Sequence, residues 1–337
     1  MLQDNIWFEC DDAAKLFLHR WLPGEFSETH EDPRHKPLAV VHIVHGMAEH
    51  SGRYIRLAEK LTNAGIEVWA ADQRGHGKTA NLEINAPDKG GLLGHCTDAY
   101  TFDRVTADIY NINKEIRKKH PQIPLLLLGH SWGSFIAQNY IETSDNGDGI
   151  IDGCILSGTR GPGGMKVKAG KILMAALKFI IGKRKGSDMA RAASDGPYNK
   201  PFSPNRTSFD WISRDEAAVD AYCKDPCSGN LCSMGFYFDL IKGLNQIHKA
   251  KVMLQIRKEL PLYIFCGSAD PVGEMGASPT ALVNKYRFLN IKDIEFVLYP
   301  GARHETLNET NREEVMDALL SWILRHIHLP ASEGTEA

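Results

Sequence analysis

Short apolar runs, rich in β-branched and aromatic residues, alternate with longer helix-like segments along most of this 337-residue chain. This alternation is typical of a mostly parallel β-sheet with helices on both faces. In Tyr54–Ala64, apolar residues recur at the spacing of one helical face, and Gly65 ends the segment. Further helices are predicted over Phe102–Lys119, Ser134–Glu142 and Glu313–Ile327. The predicted strands are Lys15–Trp21, Leu38–Val44, Glu67–Ala71, Pro124–Leu128, Asp152–Ser157, Leu262–Cys266 and Glu295–Tyr299.

The alternation lapses after a glycine-rich joint at Ser157–Gly164 and resumes at Leu262. We interpret the interruption as an inserted helical cap. A second, polar interruption at Gly24–Pro37 predicts an excursion between the first strands. The predicted domains are a core formed by residues 1–158 and 256–330, a helical cap or lid formed by residues 159–255, and a flexible tail formed by residues 331–337.

The first predicted cap helix, Met165–Gly182, is apolar over much of its surface and carries several lysines. One interpretation is a helix that buries its apolar face on the core. The other is a helix whose apolar face also meets acyl chains or a membrane surface, as basic amphipathic helices do. Both interpretations stay open at this stage, and the second predicts a transient contact with a membrane or micelle through the cap.

The formal net charge of −3 excludes a global positive field that would hold a nucleic-acid backbone or an anionic membrane. We therefore expect no nucleic-acid partner. The most apolar stretch, Ile172–Ile181, is interrupted by Lys178 and is shorter than the roughly 18 apolar residues of a spanning helix. The N-terminus, MLQDNIWFECDD, lacks the basic and apolar regions of a secretory signal, which predicts a cytoplasmic protein.

The chain has seven cysteines, and its apolar fraction of 43% is ample for a packed core. An odd number of cysteines without a secretory signal fits reduced thiols better than a disulfide framework. Cys223, Cys227 and Cys232 form a local cluster, but zinc sites usually pair ligands two to four residues apart and need a fourth ligand. We therefore predict no metal and no cofactor.

A G-x-S-x-G pentapeptide, Gly129–Gly133, lies between the predicted strand Pro124–Leu128 and the predicted helix Ser134–Glu142. A strand, a sharp turn and a helix form the setting of a nucleophile elbow, in which Ser131 is the nucleophile. A serine held in a strained turn needs neighbours without side chains two residues away on either side, because the helix crowds the strand there. The dipoles at the helix start would favour negative charge near the serine oxygen.

A serine hydroxyl is a weak nucleophile, so a base must take its proton and an acid must orient that base. In this fold the chain order is serine, acid, histidine. Asp270 follows the predicted strand Leu262–Cys266, and His304 lies after the last predicted strand and before the final helix. The order and placement predict Asp270 as the acid and His304 as the base, although Asp-Pro is also a common turn signal.

Two backbone N–H groups must be fixed before negative charge develops on a substrate oxygen. One should come from Trp132, the residue after the nucleophile, and the second from the loop that follows the strand Leu38–Val44. In that loop the natural candidate is the N–H of Met47. The sequence therefore predicts an oxyanion hole formed by Met47 and Trp132.

Three motifs occur in chain order: His45-Gly46 followed by Glu49–Tyr54, then Asp72–Gly77, and then Gly129–Gly133. They resemble the motifs of the monoacylglycerol lipase and lysophospholipase-like branch of the α/β hydrolases, which includes serine aminopeptidase-type members. The resemblance extends from Trp7 to Ile327. The resemblance implies an α/β-hydrolase fold with Ser131, Asp270 and His304 as the catalytic triad. It also implies oxyanion amides at the positions already named.

The chain departs from the family's pattern at three positions outside the triad. Trp132 bears on the pocket, because a bulky indole replaces the methionine that is frequent there. The other two departures are Ala48, where the lipases often have glycine, and Thr79, where serine usually closes the Arg-Gly-His-Gly loop.

The leading hypothesis is hydrolysis of a carboxylic ester with an acyl chain, such as a monoacylglycerol or a lysophospholipid, through an acyl-enzyme. An apolar cap supports it, because a long acyl chain needs a mostly apolar pocket beside the polar site. We expect His45, Gly46 and His130 to bind the substrate.

The alternative hypothesis is a serine aminopeptidase related to proline iminopeptidases. Such an enzyme needs carboxylates in the cap to hold the free amine of its substrate. Asp215, Glu216 and Asp220 are available, although a helix-like acidic run more often indicates a solvated face. A third possibility is a non-catalytic binding module on the same fold, but such a module would typically have lost a triad member.

Overall fold

A computed structural model of the chain describes residues 1–24, 36–143, 149–194 and 196–327, and gives the backbone alone for residues 164–171. The predicted excursion at Gly24–Pro37 lies largely outside the described residues, and the predicted tail at 331–337 lies entirely outside them.

The strands are β1 (Leu2–Glu9), β2 (Lys15–Leu22), β3 (Ala39–Val44), β4 (Ile66–Ala71), β5 (Leu125–His130), β6 (Gly153–Ser157), β7 (Leu262–Gly267) and β8 (Ile294–Tyr299). Within the described residues they form one sheet, in the order β1-β2-β4-β3-β5-β6-β7-β8. The six strands from β3 to β8 are parallel, while β1 and β2 are antiparallel at one edge. The predicted mostly parallel sheet is confirmed.

The five inner parallel strands, β3 to β7, are buried at every residue. Strands covered on both faces read as continuous apolar runs instead of an alternating pattern, which explains the sequence LLLLGH in β5. The carboxyl ends of parallel strands meet at one edge of the sheet, so the loops that follow β3, β5, β7 and β8 converge there.

The helices that cover the core are α1 (Ile55–Asn63), α2 (Thr101–Lys119), α3 (Trp132–Thr143), α9 (Ala277–Phe288) and α10 (Arg312–Ile327). Leu61 of α1 and Trp322 of α10 belong to one buried apolar cluster. Ile109 of α2, Ile136 of α3 and Leu282 of α9 belong to a second cluster. The helices therefore lie on both faces of the sheet, as predicted.

The chain between β6 and β7 contributes no strand to the sheet within its described residues. Helix α7 contacts α4 as well as α2 and α3, so it lies between α4 and the core. Within the described part of the chain, no helix combines the length and apolarity that crossing a membrane requires. The helices of this segment are α4 (Gly164–Ile181), α5 (Asp188–Ser194), α6 (Glu216–Lys224), α7 (Met234–Ile247) and α8 (Ala250–Met253).

Two elements of the core were not among the predicted ones. Strand β1 is an edge strand whose residues are half-buried or exposed, so polar residues interrupt its apolar pattern. Helix α9 has a low amphipathicity and begins with Ala-Ser-Pro-Thr, although Pro279, Leu282, Val283 and Tyr286 do bury at helical spacing. That spacing was the signal by which α9 could have been found.

Candidate active site

Ser131 lies in the turn between β5 and α3 with a φ of +50°, a left-handed conformation that residues with a side chain rarely adopt. A Cβ atom on Gly129 would lie 2.4 Å from the carbonyl oxygen of Gly133, and one on Gly133 would lie 2.0 Å from that of Val44. Both neighbours are backbone atoms and cannot move aside. The two glycines are therefore required by the close approach of helix, turn and strand.

Three side chains from separate loops form a continuous hydrogen-bonded chain. His304 Nε2 lies 2.8 Å from Ser131 Oγ, and His304 Nδ1 lies 2.9 Å from Asp270 Oδ2. The other carboxylate oxygen of Asp270 accepts a hydrogen bond from the N–H of Val272 at 2.8 Å. Asp270 follows β7, and His304 follows β8, so the convergence of the parallel strands brings these residues to the elbow.

Burial and the neighbouring carboxylate act on His304 in opposite directions. Burial of the imidazole alone would lower the pKa of His304, but the charge and the hydrogen bond of Asp270 raise that pKa above its ordinary value. For the neighbouring His130, burial and the charge of His304 outweigh the charges of Glu49 and Glu305 and lower the pKa to about 4. Of these two histidines, only His304 is arranged to accept a proton from Ser131.

The loop after β3 passes beside the serine and contains Met47, which lines the pocket. The N–H of Gly46 donates to Glu49 Oε1 at 2.5 Å, and the hydroxyl of Tyr54 donates to the same oxygen at 2.9 Å. Ala48 has a φ of +54°, the left-handed region that glycine occupies without strain. This conformation explains why glycine is common at the position of Ala48 in the lipases that the chain resembles.

A buried ion-pair network adjoins the pocket. Arg53 donates two hydrogen bonds to Glu305, at 2.7 and 2.8 Å, and one to Glu49 at 2.5 Å. Its guanidinium also lies 4.7 Å from the ring centre of Tyr222 in α6. Burial alone would raise the pKa of Glu49, but the charge of Arg53 lowers it to about 2. Sequence reasoning missed this network.

The segment between β6 and β7 covers the triad with aromatic side chains. Phe209, Trp211, Tyr222 and Tyr237 line the pocket together with Ser131 and His304 at its base. Trp211 also packs against the imidazole of His304, with ring centres 5.1 Å apart. The cleft is therefore lined by aromatic side chains together with polar and charged ones, which include Glu49, Arg191 and Asn230.

The residues predicted to bind substrate separate into two groups. Gly46 and His130 line the pocket. His45 does not, because its ring is fully buried and both of its nitrogens are occupied by Gln73 N–H and Gly46 C=O, at 2.9 and 2.8 Å. The structure thus places the His45 side chain away from the cleft, beneath the loop that follows β3.

The carboxylates considered for an aminopeptidase lie elsewhere. Asp215 accepts from the amides at the start of α6 and pairs with Arg312, while Asp220 pairs with Arg206. Glu216 is exposed, and none of the three lines the cleft at Ser131. Among the described residues, no group of three or more His, Cys, Asp and Glu side chains is arranged to hold a metal ion.

A central strand of the mostly parallel sheet ends in a strained serine turn, and a histidine and a buried aspartate lie on later loops. This combination defines an α/β hydrolase. Within that class, the chain belongs to the family described as serine aminopeptidase, S33, whose sequence model matches residues 35–311.

The chain is similar to individual proteins that are named as lipases or esterases. The chain is 27% identical to a monoacylglycerol lipase of Mycolicibacterium smegmatis, over 88% of this chain and 91% of the relative. It is also 27% identical to a monoglyceride lipase of Homo sapiens, over 87% of this chain and 80% of the relative. The structure is similar to a thermostable carboxyl esterase from Bacillus coagulans solved with glycerol, with a TM-score of 0.83, 25% identity and coverage of 97% and 99% of the two chains.

Proposed function

We propose that the chain hydrolyses carboxylic esters that carry an acyl chain, with Ser131 as nucleophile, His304 as general base and Asp270 as the group that orients His304. The observation that carries the proposal is the hydrogen-bonded chain from Asp270 through His304 to a serine in a strained turn. This arrangement supplies each group that acyl transfer needs, in the geometry in which a base takes a hydroxyl proton.

The reaction then follows from the geometry. Ser131 Oγ attacks the ester carbonyl carbon while its proton passes to His304 Nε2. His304 returns this proton to the leaving alcohol as the ester C–O bond breaks, which leaves an acyl group on Ser131. Water attacks the acyl-enzyme, His304 takes the proton of that water, and Ser131 leaves with it when the acid is released.

The negative charge on the carbonyl oxygen requires fixed donors. Trp132 is the first residue of α3, so its N–H has no acceptor within the helix. The N–H of Met47, on the loop that follows β3 and lines the cleft, is the second donor. Each such donor stabilises the transition state by about 3 to 4 kcal/mol.

The substrate class follows from the lining of the cleft. Phe209, Trp211 and Tyr237 offer apolar contact to an acyl chain, and Gly46 and His130 face the polar ester end. The names of the relatives support a monoacylglycerol, and a lysophospholipid shares the same ester and acyl chain. We therefore propose a lipid-like ester with one acyl chain as the substrate.

Contact with a membrane or micelle is the second part of the proposal. Met174 and Leu177 of α4 are buried, whereas Ile172, Phe179 and Ile180 are 76%, 92% and 76% exposed. One face of the helix therefore packs inward and another offers large apolar side chains to the surroundings. A surface of this kind on the segment that covers the cleft would bring the pocket to an aggregated lipid.

Aminopeptidase activity finds less support in the cleft. Glu49 and Glu305 line the cleft, and both are already ion-paired with Arg53. A substrate amine would have to compete with a buried guanidinium for them.

The test is a release assay with a monoacylglycerol, a lysophospholipid and a prolyl-arylamide, using wild-type protein and Ser131→Ala. We expect wild type to release fatty acid, and Ser131→Ala to fold normally and lose activity by several orders of magnitude. Ser321→Ala, at an exposed position on α10, is the matched control and should retain full activity. Amine release alone, or full activity in Ser131→Ala, would overturn the proposal.

A further inference from the structure

We infer that Gln73 is a positioning residue that fixes the two oxyanion-hole segments relative to each other, through His45 on one side and Trp132 on the other. The inference rests on the proposed function, because it assumes that the N–H groups of Met47 and Trp132 hold the oxyanion. We call Gln73, His45 and Trp132 the oxyanion clamp.

Gln73 holds the first segment through two hydrogen bonds. Its backbone N–H donates to His45 Nε2 at 2.9 Å, and its side-chain Nε2 donates to the carbonyl oxygen of His45 at 2.6 Å. Because His45 Nε2 accepts, the proton of the neutral ring lies on Nδ1, which donates to the carbonyl oxygen of Gly46 at 2.8 Å. Burial lowers the pKa of His45 and so favours this neutral form. The carbonyls of both residues that precede Met47 thus have fixed donors.

Gln73 holds the second segment through its amide oxygen. Trp132 Nε1 donates to Gln73 Oε1 at 3.0 Å. The indole ring packs against Phe102 and Phe236, with ring centres 4.8 and 4.9 Å away, and the residue is 1% exposed. Packing and the bond to Gln73 together hold the indole of the residue whose own N–H is assigned to the oxyanion.

A primary amide at position 73 makes both side-chain bonds, which neither a carboxylate nor a thioether can. Its oxygen accepts from the indole and its nitrogen donates to the carbonyl of His45, whereas a carboxylate has no donor and a thioether has no N–H. The partner at position 132 is equally specific, because methionine, which is frequent there in the lipases that the chain resembles, could not donate. The clamp is therefore a consequence of Trp132 and Gln73 occurring together in this chain.

The clamp should affect the rate of the chemical step more than the binding of the ester. An oxyanion hole acts because its donors are fixed before charge develops, and a misplacement of about 1 Å can cost about a hundredfold in rate. A ground-state ester depends far less on those donors. Loss of the clamp should therefore lower kcat and leave KM nearly unchanged.

The experiment is a double-mutant cycle on the full chain with Gln73→Met, Trp132→Phe and both together, assayed on the ester that wild type hydrolyses best. Each single variant should lower kcat about ten- to a hundredfold, with KM changed less than about threefold. The double variant should be little slower than the slower single variant, because both substitutions break the same connection. Gln73→Glu, which retains the acceptor and loses the donor, should be slowed as well.

A second readout separates positioning from general loosening of the fold. An alkyl trifluoromethyl ketone forms a tetrahedral adduct on Ser131. Each variant should bind this ketone more weakly than wild type does, in proportion to its fall in kcat. Trp69→Phe is the matched control, because it removes another buried indole bond, from Trp69 Nε1 to Glu67 Oε1 at 2.6 Å. It should lower the melting temperature and leave kcat and ketone affinity unchanged.

The outcomes distinguish this inference from the proposed function. The clamp is overturned if Gln73→Met, Gln73→Glu and Trp132→Phe retain wild-type kcat, or if the losses in the cycle are additive. An inactive Ser131→Ala in the same assay leaves the proposed function standing. Should Gln73→Met fail to fold, Gln73→Glu and Trp132→Phe form the cycle in its place. Activity in Ser131→Ala would instead overturn the proposed function itself.

Discussion

Asp270 and His304 are joined by a hydrogen bond of 2.9 Å, and the two side chains are 0% and 4% exposed. The other carboxylate oxygen of Asp270 is held by the N–H of Val272. With both oxygens fixed, the carboxylate keeps the proton of the neutral imidazole on Nδ1. His304 Nε2 is thereby free to accept the proton of Ser131.

Asp270→Asn should therefore impair chemistry without disrupting the fold. An asparagine fits the same space, but its amide can donate to Nδ1 and hold the imidazole in the wrong tautomer. We expect kcat to fall about 10⁴-fold. Steady-state kinetics with circular dichroism as a check on folding measure this effect. Asp293→Asn is the matched control, since Asp293 pairs with His326 at 3.1 Å, away from the cleft. A fall smaller than tenfold in Asp270→Asn would contradict the proposed role of the carboxylate.

The pH dependence follows from the raised pKa of His304. The residue must be neutral to act as a base, and its pKa is raised above the ordinary 6.5 because Asp270 outweighs the effect of burial. The acid limb of kcat/KM should therefore have its midpoint above pH 6.5. Measurement of kcat/KM from pH 5 to 9 on a soluble ester tests this. A midpoint below pH 6.5 would mean that another group controls the limb, or that Asp270 does not raise the pKa.

The juxtaposition of Ser131, Asp270 and His304 could be predicted from the sequence because its signals are local. The pentapeptide at Ser131 has a defined strand, turn and helix around it, and Asp270 and His304 each follow a recognisable strand. Parallel strands then bring these positions together without further information. The aromatic lining could not be predicted in the same way, because the segment between β6 and β7 has no comparable repeating pattern.

Hydrogen bonds and ion pairs between residues far apart in the chain could not be predicted from the sequence. Arg53 and Glu305 are 252 residues apart, and their pairing depends on the packing of two loops that no periodicity describes. Gln73 was visible within the motif Asp72–Gly77, but its bonds to His45 and Trp132 arise only when three strand ends converge. Sequence reasoning singled out Ser131, Asp270 and His304, which the structure brings together, and missed the Arg53 and Gln73 contacts beside them.

Gly133→Ala should be strongly destabilising. The added Cβ would lie 2.0 Å from the carbonyl oxygen of Val44, a backbone atom of the buried strand β3. We expect a loss of about 3 kcal/mol in the free energy of unfolding, measured by urea denaturation. Gly196→Ala is the control, because its Cβ would meet only a side-chain atom at 3.9 Å. Equal stability of the two variants would show that α3 can move away from β3.

Helix α4 provides the last prediction. Phe179 and Ile180 are 92% and 76% exposed, so replacing both with serine removes apolar surface without opening the core. Burial of such a side chain contributes about 1.5 to 3 kcal/mol, so even partial insertion of the two into a lipid surface should strengthen binding at least about tenfold. The double variant should therefore bind vesicles at least about tenfold more weakly in a sedimentation assay and hydrolyse emulsified monoacylglycerol more slowly, with unchanged kcat/KM on a soluble short-chain ester.

Phe288→Ser, on α9 and 76% exposed, is the matched control and should leave vesicle binding intact. Equal vesicle binding by the α4 variant and wild type would locate any lipid contact elsewhere, and a parallel loss on the soluble ester would mean that α4 acts on the cleft itself.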